Sequence, residues 1–261
     1  MSERVLVDVR EADAIAVLTL NRPEKRNALD PGTVRALTEG LEGIERDERA
    51  RVLLLEAAGR DFCAGADLAH LETMVDASYE EHLADARALG ELFVRMRRFA
   101  RPIVAAVHGN ALAGGAGLAT ACDIVLASDD AWFGYPEVHI GFVPAIVMTM
   151  LVRNVGEKTA FDLVATGKRI DAGEAYRVGL VNAVFSRHTF AADARAFAVE
   201  LAGRSGTALG LTKRLLYELG DVSFEEGIER GARVNTEARM TDDCKAGVKA
   251  FLASTKAKGS T

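Results

Sequence analysis

Val107-His-Gly-Asn-Ala-Leu-Ala-Gly-Gly-Ala-Gly-Leu118 is the stretch on which the fold turns. An apolar run, residues 103–107, enters it, and glycines 114 and 115 open a short helix over residues 114–121. A second apolar run, 124–127, leaves it. Strands that are apolar at every position are covered on both faces, which marks the buried strands of an α/β sheet. A helix that starts at glycine presents main-chain N–H groups with no intrahelical partner. A second turn has the same character: in Gly59-Arg-Asp-Phe-Cys-Ala-Gly-Ala-Asp-Leu68 an extended piece breaks at Gly65 and a helix can begin after Asp67. If the two turns meet, two amides converge on one oxygen and stabilise negative charge there. The glycines equally suit tight turns and close strand–helix packing; spacing alone leaves both readings open.

Working outward, residues 5–9 and 14–20 read as a hairpin closed by Pro23. Residues 33–44 carry Val34, Leu37, Leu41 and Ile44 at helical spacing before an apolar strand at 52–55. Residues 79–98 place Leu83, Ala86, Leu89, Leu92, Phe93 and Met96 on one helical face. This strand–helix rhythm, without a strict period, predicts an α/β fold. Beyond Gly156, residues 157–165, 172–178 and 189–202 read as helices, with one strand at 180–185. Gly203-Arg-Ser-Gly206 reads as a linker to helices at 208–219, 224–240 and 242–252. The expected organisation is a core over residues 1–203 and a helical segment over 204–261. So short a segment buries little apolar area alone, so it must pack on the core or on another subunit.

Composition narrows the function. The 261 residues are 49% hydrophobic and 27% charged with a net charge of −6, so neither nucleic acid nor membrane is expected as a partner. The N-terminal residues lack a signal-peptide pattern and the three cysteines are far apart, which predicts a cytoplasmic protein. Nucleotide, dinucleotide, serine-hydrolase and zinc-protease signatures do not occur, and the five histidines lack metal-ligand spacing. Cys63 reads either as a nucleophile ahead of a helix or as a small buried hydrophobe.

Four ordered blocks add a resemblance: Leu20-Asn-Arg-Pro-Glu-Lys-Arg-Asn-Ala-Leu29, Phe62-Cys-Ala-Gly-Ala-Asp-Leu68, the segment 109–123 ending Ala-Cys-Asp, and Phe133-Gly-Tyr-Pro-Glu-Val-His-Ile-Gly141. With Gly179-Leu-Val-Asn182 they cover most of residues 1–185, and the chain resembles the crotonase, or enoyl-CoA hydratase/isomerase, superfamily. The resemblance implies a spiral of ββα repeats with a C-terminal helical trimerisation segment, assembled as a homotrimer or a dimer of trimers. It implies an acyl-CoA thioester as substrate, coenzyme A entering only as part of it, with no metal or other cofactor. The amides of Ala66 and Gly114 would form the oxyanion hole, and Glu137 would move the proton. Lys25, Arg26, Ala64, Asp67 and Phe251 would meet the coenzyme A, although the basic residue often kept three positions after the aromatic is Ser254 here. Leu71, Met74, Gly117, Trp132 and Phe142 would line the acyl pocket.

One departure matters. Hydratases of this family with two carboxylates place the second where this chain has Gly117, twenty residues before Glu137. Moving a double bond needs one proton shuttle, so local chemistry leans toward a Δ3-Δ2 isomerase. Against this, the Gly-Gly-Ala-Gly-Leu variant at 114–118 is similar to that of bacterial methylglutaconyl-CoA-type hydratases, and a glycine at 117 is expected to leave room for a branched acyl group or a water. The expected activity is hydration of a 2-enoyl-CoA, with double-bond isomerisation, and a non-catalytic acyl-CoA-binding or scaffold protein, as the alternatives.

Overall fold

Six consecutive residues of β1 (Val5–Arg10) pair antiparallel with β2 (Ile15–Leu20). The remainder of this computed structural model, which describes residues 3–258, is built onto that hairpin. Helix α1 (Pro31–Glu45) starts where Asp30 accepts the Thr33 N–H and Pro31 takes the first position, and β3 (Val52–Ala57) follows. Asp67 caps α2 (Leu68–Met74), and Ser78 with Glu81 forms a capping box for α3 (Tyr79–Arg98). The glycine-rich stretch comprises β4 (Ile103–Val107), β5 (Asn110–Leu112), α4 (Gly114–Thr120) and β6 (Ile124–Ser128). Next come β7 (Trp132–Gly134), α5 (Ala145–Val155), α6 (Glu157–Thr166), β8 (Arg169–Asp171), α7 (Ala172–Arg177) and β9 (Ala183–Phe185). Helices α8 (Phe190–Ala202), α9 (Gly206–Glu218), α10 (Phe224–Met240) and α11 (Asp242–Lys258) complete the described chain.

The strands form two sheets. One has the order β1-β2-β3-β4-β6-β9, parallel from β2 onward; the other has the order β5-β7-β8. Residue alternation assigns each face of the larger sheet its own core. Ala16, Leu18, Leu53, Leu55, Ala105 and Val107 pack toward α1, α3 and the second sheet, whereas Ile15, Val17, Val52, Leu54, Val104 and Ala106 meet Phe190, Ala194, Ala198 and Ala202 of α8. Small residues four apart on α8 let it lie close to the sheet.

The structure departs from the sequence reading in four places. The short strands β5, β7 and β8 are too brief to show a period of two, and α5 lies where no helix is predicted. The strand expected over 180–185 shortens to Ala183–Phe185, because Leu180 and Val181 instead close the turn after α7. Finally, α9 begins at Gly206, capped by Ser205, two residues earlier than the expected start at 208.

Candidate active site

The two glycine turns come together. Cys63 N–H donates to the Asn110 carbonyl and Leu112 N–H to the Cys63 carbonyl, each at 3.0 Å, which lays residues 62–66 beside β5. The approach is so close that a Cβ at Gly65 would fall 2.8 Å from the Ala113 Cβ, and one at Gly115 would fall 2.3 Å from the Cys63 carbonyl oxygen. Glycine is thus required at both turns. Leu29 N–H donates to the Gly65 carbonyl and Asp67 N–H to the Leu29 carbonyl, leaving Ala66 between them. Among the described residues neither the Ala66 nor the Gly114 amide has a protein acceptor. Ala113, between the turns, holds φ 51° and ψ −125°, a strained conformation for a residue with a Cβ.

Asp61 braces this junction from beneath. Its buried carboxylate accepts from Asn110 N–H at 3.1 Å and Nδ2 at 2.5 Å, and from Arg26 Nε at 2.7 Å. Burial pushes its pKa up, but the Arg26 and Asn110 hydrogen bonds outweigh this and hold it down at about 2. Asn27 adds two donations, to the carbonyls of Ala58 and Asp61.

Glu137 arrives from the other side. Ala113 N–H donates to the Gly134 carbonyl at 2.8 Å, joining the Gly114 turn to β7, and the chain then enters a 3₁₀ turn over Pro136–Ile140 that carries Glu137. The residue is 8% exposed, and among the described residues its Oε2 is buried without a hydrogen-bond partner. Burial pushes the carboxyl above its ordinary value. Neighbouring Tyr135 is wholly buried, its hydroxyl 3.3 Å from Thr120 Oγ1 of α4. Burial outweighs the hydrogen bond from the residue's own N–H, and a buried carboxylate of raised pKa with one oxygen free of protein donors is suited to exchange protons with a ligand.

The other expected residues are distributed unevenly. Ala64 lies in the same junction, its N–H donating to the Arg26 carbonyl. Lys25 is exposed, whereas Arg26 is drawn to Asp61. The Asp67 carboxylate is held by Arg22 at 2.9 Å and caps α2; burial raises its pKa, but the Arg22 hydrogen bond and α2 amides bring it below the usual range. Leu71 and Met74 are half-buried on α2, and Phe142 is exposed just after the Glu137 turn. Trp132 lies at the end of β7 remote from Ala113, opposite Asn110 of β5, with its N–H on the Gly109 carbonyl and its side chain partly exposed. Phe251 projects to solvent from α11. Cys63 is wholly buried with its thiol pushed up to about 12 by burial, which fits the hydrophobe and not the nucleophile.

Gly117 corrects an expectation. Its missing side chain leaves no open space, because a Cβ there would lie 2.5 Å from Val147 Cγ2 and 3.3 Å from Phe93 Cζ. Val147 and the bracing pair Asp61 and Asn110 escaped the sequence reading. A buried acid between an arginine and a turn was the available signal for Asp61; Val147 had none, because α5 was not foreseen. A groove of about 1250 Å³ runs along α3 between Val34 of α1 and Ile146 of α5, but neither Ala66, Gly114 nor Glu137 lines it.

Two apposed amide turns and a buried carboxylate are parts used by enzymes that stabilise an oxyanion while moving a proton. Residues 10–258 match the model of the enoyl-CoA hydratase/isomerase family. A Thermus thermophilus protein bearing an enoyl-CoA hydratase name is 44% identical over 93% of this chain and 96% of its own length. The 2,3-dehydroadipyl-CoA hydratase of Escherichia coli is 34% identical over 97% and 96%. Among solved structures, an enoyl-CoA hydratase of Mycobacterium smegmatis superposes with a TM-score of 0.91 at 30% identity, covering 96% of each chain. The chain belongs to the enoyl-CoA hydratase/isomerase family, has the crotonase fold, and is an acyl-CoA-processing enzyme.

Proposed function

We propose that this protein adds water to a 2-enoyl-CoA, with Glu137 as the proton shuttle and the Ala66 and Gly114 amides holding the thioester oxygen. The observation that carries the reading is the buried, unpartnered Oε2 of Glu137 on the 3₁₀ turn that follows β7, the strand tied to the Gly114 turn. Glu137 as carboxylate takes a proton from water while the oxygen bonds to C3. The electron pair moves onto the thioester as an enolate, and Glu137 returns the proton to C2. Each oxyanion donor contributes about 10²–10³ in rate.

Coenzyme A enters only as part of this substrate, and no separate cofactor takes part. Lys25 and Arg26 would meet its phosphates, Ala64 and the main chain of Asp67 its pantetheine–adenine region, and Phe251 of a neighbouring subunit its adenine. Leu71, Met74 and Phe142 would bound the acyl group. Residues 204–261 would assemble a cytoplasmic homotrimer or dimer of trimers.

The hydrocarbon packed over Gly117 favours a second reading, in which Glu137 removes a proton from C2 of a 3-enoyl-CoA and returns it to C4. The experiment is a paired assay with crotonyl-CoA and 3-hexenoyl-CoA on the wild type and Glu137→Gln. Hydration falling on the order of 10²–10⁴-fold in the variant supports the proposal. Migration alone points to the isomerase, neither activity with tight acyl-CoA binding points to the non-catalytic protein, and an unimpaired variant overturns the role of Glu137.

A further inference from the structure

We infer that Val147 keeps this site to a single carboxylate, so that position 147, and not position 117 alone, sets the balance between hydration and double-bond migration. The inference rests on the function proposed above. Gly114, Gly117 and Thr120 follow one another at intervals of three along α4, so position 117 lies one turn from each of the other two. At one end is the Gly114 amide; at the other, Thr120 meets the hydroxyl of Tyr135, two residues from Glu137. A side chain at 117 would start between the oxyanion turn and the segment that carries Glu137.

Val147 Cγ2 occupies that starting point. Its distance of 2.5 Å from an ideal Cβ at 117 is far inside the ~3.5–4.0 Å of ordinary carbon contacts, and Cγ1 lies at 3.4 Å. A valine within a helix has one strongly preferred χ1 rotamer, so these methyls cannot swing aside as the end of a lysine or methionine would. Val147 is 3% exposed on α5, and Phe93 of α3, 4% exposed, closes the other side. A glutamate at 117 therefore lacks room for its first side-chain carbon until Val147 is shortened. A lone shuttle serves migration fully, whereas hydration gains from a second group that holds the water.

The test compares wild type, Gly117→Glu, Val147→Ala and the double variant by thermal midpoint and by rates on crotonyl-CoA and 3-hexenoyl-CoA, Val147→Ala serving as the cavity control. Gly117→Glu alone is expected to lower the midpoint, although glutamate is the better helix former. The double variant is expected to recover most of that loss and to raise the hydration-to-migration ratio by on the order of 10-fold or more. The inference is overturned if Gly117→Glu alone shifts the ratio with an unchanged midpoint, if the folded double variant keeps the wild-type ratio, or if the two substitutions show no thermal coupling. Wild-type inactivity on both substrates sinks the proposed reaction, while the thermal coupling still decides whether Val147 closes position 117.

Discussion

Glu137 sits on a turn that the sequence marks only by Pro136, and its chemistry comes from burial. The folded pKa lies above the ordinary glutamate value of 4.5, so the fold prefers the acid form. Its contribution to stability is fully present below 4.5 and is lost as pH rises through the folded value. In the proposed reaction the rate has the opposite dependence, because the carboxylate acts as the base. The acid limb of kcat/KM should lie above pH 4.5, and the thermal midpoint of Glu137→Gln should gain on that of the wild type as pH climbs across the same window. A limb at or below 4.5, or a midpoint difference independent of pH, would remove burial as the cause. Among the residues that position the site, the glycines were legible because turns and helix starts demand particular residue types, whereas Glu137 stood out only through the family resemblance. Val147 was not legible, because a valine in an apolar run looks the same whether it fills a core or closes a pocket.

At the scale of elements, α9 is fixed to the core through one polar cluster. Lys213, 7% exposed, donates to the carbonyls of Met96 and Arg101 at 3.0 Å and pairs with Asp123 at 2.7 Å. Asp123 also accepts from Tyr217 Oη and the Ile103 N–H, both at 2.6 Å. Burial pulls the Lys213 pKa down, opposed by Asp123. Removing one member of such a pair leaves the other charge buried, which costs about 3–5 kcal/mol. Lys213→Ala should lower stability by that amount in urea unfolding; a loss under about 1 kcal/mol would mean that solvent already screens the pair. The cations of α9 and the acid of the Ala-Cys-Asp block are both visible in the sequence, but they stand 90 residues apart. Only the return of α9 onto the β4–β6 end of the sheet joins them. The long helices, by contrast, were readable from local signals: Asp30 with Pro31, and Ser78 with Glu81.

For the whole molecule, the tail beyond α9 offers apolar side chains left exposed among the described residues. Phe224 is 79% exposed, Ile228 61% and Phe251 70%. Phe224 and Ile228, four apart on α10, share a helical face. If that face joins copies of the chain, the double substitution Phe224→Glu with Ile228→Glu should convert a trimer or hexamer to monomer in size-exclusion chromatography with light scattering, with the core still folded. A monomeric wild type would remove the proposed assembly.

The amino-acid order by itself determined the α/β class, the run of buried strands, the long helices and the glycine turns, because periodicity and backbone preference act within a few residues of one another. The tertiary structure decided which turns meet, which carboxylate loses its partners, and what fills the space beside Gly117. Those outcomes depend on packing between segments distant along the chain, where a difference of one methyl group determines whether a side chain has room.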